Sequence, residues 1–165
     1  MFRIRTIRIR MERLQIVPAL HRATHRVGVF LQKRTPQVSQ GEAHLLAHLH
    51  EHAGEATVAA LHRAWAHKRS TLTDMLDRLE SRALIRRTPS PGDRRSVLVR
   101  VTAKGSRLAA GVHQELVALE ARLLGQFGTK AVRAFAAVAD EIASTAEALG
   151  RADAPRPRAR RKAGS

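Results

Sequence analysis

The sequence predicts a mainly α-helical fold that contains one small β-hairpin. Apolar residues recur at steps of three and four over most of residues 14–150, which is the spacing of amphipathic helices. Residues 84–101 are the exception, because two short apolar runs there flank a turn sequence rich in Pro, Gly and Asp. With 165 residues the chain is long enough for one domain with a hydrophobic core of its own.

The first predicted helix runs from about Leu14 to Leu31. Pro18 lies near its beginning and indicates either a late start or a kink, because proline lacks an amide hydrogen. Pro36 marks the end of this segment, which covers residues 14–37. The inward positions are Leu14, Val17, Leu20, Thr24, Val27 and Leu31.

A second helix is predicted to begin after Ser39. Ser39 and Glu42 have the spacing of a capping box, in which each side chain binds the backbone amide of the other residue. The buried face consists of Leu45, Leu46 and Leu49. Gly54 is predicted to close this helix, and a shorter helix is predicted to open at Thr57.

Residues 68–82 predict a helix with two contrasting faces. The inward face consists of Leu72, Met75, Leu76 and Leu79. The opposite face is polar and carries Ser70, Thr71, Thr73, Asp74, Asp77 and Arg78. A helix of about 10–12 Å diameter fits the DNA major groove, where short polar side chains near its N-terminus can reach base edges. The segment therefore predicts a recognition helix.

A basic hairpin follows that helix. Its strands are predicted around residues 84–88 and 97–101. Between Arg82 and Arg107 eight residues are basic and only Asp93 is acidic. The order of helices and hairpin is that of a winged helix-turn-helix domain over residues 38–105. A wing arginine fits the narrow minor groove, where the negative potential of DNA is concentrated.

Two further helices are predicted after the hairpin, over residues 106–150. Thr102 is expected to cap a long helix that ends near Gly125 to Gly128, and Gly150 is expected to end the last helix. The stripe of the long helix is Leu108, Val112, Leu116, Leu119 and Leu123. The last helix carries Val132, Phe135, Ala139, Ile142, Ala146 and Leu149, whose steps of three and four are typical of a coiled-coil seam.

The charge of the chain indicates a polyanionic partner. Thirty Lys and Arg against 14 Asp and Glu give +16 at pH 7, and nucleic acid is the simplest partner for such an excess. A composition biased toward Arg is the alternative explanation. Residues 1–13 form a basic arm of +4, with either Met1 or Met11 as the true start, and residues 151–165 form a basic tail of +5 that is predicted to be disordered.

Several classes of function are excluded. Cysteine is absent, which removes disulfides and thiol chemistry, and aromatic residues at 3% are too few for base stacking on aromatic platforms. No run approaches the roughly 18 apolar residues of a membrane span, and the basic start has no signal-peptide core behind it. No phosphate loop, nucleophile elbow or metalloprotease motif is present. We therefore expect a cytoplasmic protein that is not an enzyme and needs no cofactor.

Three motifs resemble the MarR (multiple antibiotic resistance regulator) family over about Leu14 to Leu149. The run from Val38 to Leu49 resembles the opening of the family domain, and Ser70 to Glu80 is similar to its recognition helix. Asp93-Arg94-Arg95 followed by Val101-Thr102-Ala103-Lys104-Gly105 resembles its wing and the following helix.

The resemblance implies a homodimeric transcriptional regulator, a repressor, that binds a palindromic operator in double-stranded DNA through residues 68–82 and the wing at 86–100. The terminal helices, residues 14–37 and 106–150, are implied to form the dimer. The implied DNA contacts are Lys68, Arg69, Ser70, Thr71, Thr73, Asp74, Arg78, Arg86, Arg87, Asp93, Arg94 and Arg95. Arg95 is expected in the minor groove, and Asp93 is expected to fix the shape of the wing. Ala83 stands where the family has Gly, so we expect this helix to end differently and to tilt the wing.

The family resemblance also implies a small effector, which we expect to be an anion. The candidate cleft residues are His21, Arg22, His25, His44 and His48. The spacing of His44, His48 and His52 also fits a metal site, but a solvated polar face explains it better and no metal is predicted. A basic RNA-binding protein or a nucleoid-type architectural protein without sequence preference remains the alternative function.

Overall fold

The computed structural model describes the backbone of residues 14–65, 69–91 and 93–152. The predicted N-terminal arm, Lys68 and the predicted disordered tail beyond Ala152 lie outside the described residues, as do the side chains of Asp93 and Arg94. The chain divides into two compact units between Val117 and Ala118.

The fold is mainly α-helical, as predicted, with one small antiparallel sheet. In chain order the elements are α1 (Ile16–Arg34), α2 (Gln40–Glu51), β1 (Glu55–Thr57), α3 (Val58–Trp65), α4 (Arg69–Ser81), β2 (Ile85–Ser90), β3 (Asp93–Val101) and α5 (Ala103–Ala152). The sheet has three strands in the order β1-β3-β2. The sequence predicted only the hairpin of β2 and β3, because the three residues of β1 are too few to show a strand period.

Local signals fixed most of the helix ends. α1 begins at Ile16, which leaves Pro18 in the first turn, where an amide hydrogen has no helical partner. The late start is therefore confirmed, and the helix extends to Arg34, three residues beyond the predicted end. The capping box is also confirmed, since the Ser39 amide donates to Glu42 Oε2 at 2.8 Å and the Glu42 amide donates to Ser39 Oγ at 3.4 Å.

Two helices end on an alanine in the left-handed region. Ala53 after α2 and Ala83 after α4 both have a φ of 56°. After α4 the Ala83 amide donates to the Glu80 carbonyl at 2.8 Å and the Leu84 amide to the Leu79 carbonyl at 2.9 Å, which is a Schellman motif. The expectation that Ala83 makes this helix end differently is therefore wrong, because the alanine adopts the conformation that glycine favours.

The core of the first unit joins α1, α2, α3, α4, the sheet and the start of α5. Its fully buried large side chains are Leu31, Leu45, Leu46, Leu49, Leu61, Leu72, Leu76, Leu79, Ile85, Val99 and Val112. Gly105 allows α5 to start against this core, because a Cβ at that position would overlap the Leu84 carbonyl oxygen. Thr102 caps α5 as predicted, accepting from the Gly105 amide at 3.0 Å.

α5 contains one break. Gly128 has φ 75° and ψ 162°, so two helices meet at the predicted position. The second of them continues to Ala152, and the predicted end at Gly150 is therefore wrong by two residues, which is the usual scatter of a frayed helix end. In this part of α5 the apolar seam is largely uncovered, with Phe135 62% and Leu149 64% exposed.

Candidate nucleic-acid interface

α4 presents a polar face to solvent because its apolar face is fully used by the core. Leu72, Met75, Leu76 and Leu79 are 4% exposed or less. The predicted contact residues of the opposite face are all exposed: Arg69, Ser70, Thr71, Thr73, Asp74 and Arg78. The Thr73 hydroxyl donates to the Arg69 carbonyl at 2.9 Å, which leaves its methyl group and the oxygen lone pair to an incoming ligand.

A cationic cleft of about 680 Å³ lies between α3, α4 and β3. Its lining residues are Val58, Ala59, His62, Arg63, Arg69, Thr73, Arg95, Ser96 and Val97. Three guanidinium groups from three different elements thus surround one opening. Sequence reasoning found Arg69, Thr73 and Arg95 but missed His62 and Arg63. The sequence signal that could have indicated them is the basic pair His62-Arg63 near the end of the helix that precedes the recognition helix.

Two arginines of the wing are held in ion pairs within the chain. The Arg87 amide donates to Glu80 Oε1 at 2.8 Å, its Nε to Glu80 Oε2 at 2.7 Å and its Nη2 to Asp77 Oδ1 at 2.6 Å. The Arg87 amide and guanidinium hold the pKa of Glu80 below its usual value. On β3, Arg100 Nε donates to Glu55 Oε2 on β1 at 2.5 Å. These contacts fasten the wing to α4 and β1.

Arg78 has an internal partner as well. Its Nε donates to Glu42 Oε1 at 3.1 Å, and Arg82 Nη2 lies 2.9 Å from the same oxygen. Glu42 is only 3% exposed, whereas the Arg78 side chain is 57% exposed. Burial by itself raises the pKa of Glu42, but the Ser39 amide and the two arginines outweigh burial, so the net pKa is lowered.

The structure therefore separates the predicted DNA contacts into two groups. Arg78 and Arg87 are bound to carboxylates of the same chain. Arg69, Ser70, Thr71, Thr73 and Asp74 on α4 and Arg86 on β2 form the second group, whose side chains are exposed. Arg95 on β3 is also exposed and lines the cationic cleft. The predictions for Lys68, Asp93 and Arg94 rest on side chains outside the described residues.

The predicted effector residues lie in two different environments. His21, Arg22 and His25 are exposed on α1, and His25 lines a cleft of about 260 Å³ with Gly28, Val29, Gln32 and Gln40. His44 and His48 instead pack against Trp65, with ring centroids 6.2 and 6.1 Å apart. Burial lowers the pKa of His44, and burial together with the neighbouring His52 lowers that of His48.

Within residues 14–65, 69–91 and 93–152 no group of three or more His, Asp or Glu side chains is arranged to hold a metal ion. In the same part of the chain no helix combines the length and apolarity needed to cross a bilayer.

The first unit has a short helix, α3, followed in the chain by the exposed polar helix α4 and a basic antiparallel wing. This order of elements is that of a winged helix-turn-helix domain, the class to which the first unit belongs. Residues 38–97 match the MarR family. The match covers 60 of the 165 residues, so the first unit contains a domain of the MarR type.

Two curated relatives are similar to parts of the chain. The transcriptional repressor NicR of Pseudomonas putida is 32% identical over 96 residues, which cover 57% of this chain and 60% of NicR. The transcriptional regulator PecS of Dickeya dadantii is 47% identical over 58 residues, 35% of each chain. The chain thus spans less than two thirds of either relative.

The fold is also similar to that of solved structures. MepR in the S. aureus MepR–DNA complex has a TM-score of 0.68 and 18% sequence identity. The match covers 81% of this chain and 99% of MepR.

Proposed function

We propose that the chain is a homodimeric transcriptional repressor of the cytoplasm that binds a palindromic operator in double-stranded DNA. The observation that carries this proposal is the exposed start of α4, with Arg69, Ser70 and Thr71 beside the cationic cleft of Arg63 and Arg95. In winged-helix proteins of known binding mode, such a helix enters the major groove with its first residues on base edges.

The contacts follow from the chemistry of each side chain. Ser70 and Thr71 have hydroxyl groups that can bind either donors or acceptors on base edges, and the exposed Thr73 methyl suits a thymine methyl group. The Asp74 carboxylate can accept from a cytosine amino group. Arg69 and Arg63 line the same cleft and are assigned to phosphates of the DNA backbone.

The wing supplies the second set of contacts. Arg95 is assigned to the minor groove and the exposed Arg86 to a phosphate. Arg78 and Arg87 are assigned to holding α4 and the wing in place, because carboxylates of the chain already bind them. Lys68 and Arg94 are proposed as phosphate contacts, and Asp93 as a residue that shapes the wing tip.

The exposed apolar side chains of the terminal helices support a homodimer. Leu14, Ile16 and Val17 near the start of α1 are 76%, 54% and 58% exposed, and Phe135 and Leu149 are exposed to a similar degree. Apolar surface on this scale is typical of a face that another chain covers. A two-fold dimer would set two α4 helices about 34–36 Å apart, one turn of DNA, and would require a palindromic site.

The small effector is proposed to be an organic anion such as a phenolic or carboxylic acid. The cleft of His25, Gln32 and Gln40 offers nitrogen and amide donors, and Arg22 and His21 lie on the same helix. Because His44 and His48 pack on Trp65, the effector reaches them only by displacing that contact. NicR is named a repressor, and repression with release by an effector is the corresponding proposal for this chain.

Selection of random DNA duplexes at ~150 mM salt tests the function. A specific repressor returns a short palindrome. An architectural protein binds the duplexes without returning one, and an RNA-binding protein binds RNA at least as tightly as DNA; either result would contradict the proposal.

Arg95→Ala tests the interface itself. We expect operator affinity to fall by about 1–3 kcal/mol, because one arginine leaves the minor groove. Arg100→Ala is the matched control on the same strand, since Arg100 is bound to Glu55, and we expect it to change affinity by less than about twofold. Equal losses for both variants would show that only total charge matters.

A further inference from the structure

Glu42 is the only buried carboxylate among the described residues, and its two oxygens serve two different helices. Oε2 accepts from the Ser39 amide at 2.8 Å and thereby caps α2. Oε1 accepts from Arg78 Nε at 3.1 Å and lies 2.9 Å from Arg82 Nη2. One side chain thus joins the N-terminus of α2 to the last turns of α4.

The arginines extend this connection. Arg82 Nε donates to the Arg78 carbonyl at 2.9 Å, and Arg82 Nη1 donates to the Gln37 carbonyl at 2.5 Å. Lys104 Nζ donates to the Arg82 carbonyl at 3.0 Å, which adds the start of α5. The end of α4 is therefore held by directional bonds from the turn before α2 and from α5.

The remaining α2–α4 contact does not fix the rotation of α4 as firmly. It consists of aliphatic side chains and Met75, and apolar packing is not directional. The first turn of α2 also lies close to α4, since a Cβ on Gly41 would come within 2.9 Å of Met75 Sδ. The ion pairs of Glu42 with Arg78 and Arg82 lie beside this close contact. Together they restrict both the distance between the helices and the rotation of α4 about its axis.

We propose that Glu42 is the positioning residue of the recognition helix. By holding Arg78 and Arg82 it sets the orientation in which α4 presents Arg69 to Asp74 to the base edges. This inference rests on the proposed DNA binding but assigns a specificity role to a residue that DNA does not touch.

Glu42→Gln tests the proposal, because glutamine retains an oxygen for the Ser39 amide and removes the charge that binds the arginines. We expect the ratio of affinities for the selected palindrome and a scrambled duplex to fall about tenfold or more, the scale of one lost base-pair contact. Affinity for the scrambled duplex should change by less than about twofold, because phosphate contacts dominate it.

Ser39→Ala is the matched control. It removes the hydroxyl group that caps α2. The backbone amide of residue 39, Glu42 and both arginines stay in place. We expect it to lower thermal stability without changing the affinity ratio. If Glu42→Gln and Ser39→Ala both lower stability and leave the ratio unchanged, Glu42 is only a structural residue and the proposal is wrong.

Arg78→Gln provides a second route if Glu42→Gln does not fold. We expect the same fall in the ratio of affinities for the palindrome and the scrambled duplex. The double variant of Glu42→Gln and Arg78→Gln should lose no more than either single variant, because both substitutions break the same ion pair. Additive losses would overturn the proposal. An Arg78→Gln loss that is equal on the palindrome and the scrambled duplex, with a flatter salt slope, would assign Arg78 to a phosphate instead.

Amide hydrogen exchange separates this inference from the DNA proposal. Glu42→Gln should speed exchange throughout α4, whereas Ser39→Ala should speed it only in the first turn of α2. If wild-type protein selects no palindrome, the proposed function fails while this measurement still tests the positioning of α4. Unchanged exchange in α4 would overturn the positioning role even if DNA is bound.

Discussion

Helices with the same apolar spacing have opposite surroundings in the two units of the chain. On α4, Leu72, Leu76 and Leu79 are 1% exposed or less and share one core with the leucines of α2. Beyond Ala118, Phe135 and Leu149 follow a similar spacing but are 62% and 64% exposed. Spacing therefore identifies which face of a helix is apolar, and only the structure shows whether the same chain covers it.

The largest expected effect contrasts one residue from each unit. Leu76→Ala should lower the free energy of unfolding by about 2–5 kcal/mol, because it leaves a cavity in a covered core. Urea unfolding followed by the fluorescence of Trp65, the single tryptophan, measures this loss. Phe135→Ala should hardly change that transition, but it should raise the dimer dissociation constant about tenfold or more.

Analytical ultracentrifugation over a concentration series measures the dimer. An unchanged dissociation constant for Phe135→Ala would mean that this seam is not the dimer interface. A loss of unfolding free energy as large as that of Leu76→Ala would mean that the seam is covered within its own chain.

Helix ends give the next contrast, because Ala83 in the first unit and Gly128 in the second both have positive φ. Ala83→Gly should stabilise the protein by about 1 kcal/mol, since it relieves the left-handed alanine. Gly128→Ala should destabilise by about 1–3 kcal/mol, because its ψ of 162° places it where essentially only glycine is found. Thermal melts of the two variants should therefore shift in opposite directions, and shifts in the same direction would contradict the assigned backbone strain.

The smallest expected effect is the loss of stability on acidification that histidine protonation causes. We expect it from the first unit only, since residues 118–165 contain no histidine. Burial lowers the pKa of His44 below its ordinary value of 6.5, so the unfolded chain binds this proton more readily than the folded chain. Stability should thus be constant above pH ~6.5 and should fall as the pH drops toward the lowered value. His44→Gln should reduce this fall in pH-dependent thermal melts, and an unchanged pH dependence would contradict the role of His44.

The sequence was most informative where a contact is local. The pair Ser39 and Glu42 lies within one helical turn, and the inward face of α4 repeats within thirteen residues, so spacing alone predicted both. Strand β1 was not predictable, because three residues carry no period. The pairing of Arg87 with Asp77 and Glu80 was also missed, since it depends on how the wing folds back onto α4.

The candidate site shows the same division. Sequence reasoning placed Ser70, Thr71 and Thr73 on the exposed face of the recognition helix, where the structure has them. It could not show that Arg78 binds a buried carboxylate 36 residues away, nor that Arg63 joins the cleft, because both depend on the packing of separate helices.

The internal ion pairs affect how strongly the DNA affinity of the wing depends on salt concentration. Arg82, Arg87 and Arg100 each have a carboxylate of the chain within ion-pair distance. Such arginines displace few condensed cations from DNA, whereas each new phosphate contact contributes a slope of about −0.9 to the dependence of log K on log salt. The affinity should consequently decline less steeply with ionic strength than the number of basic residues between Arg82 and Arg107 suggests.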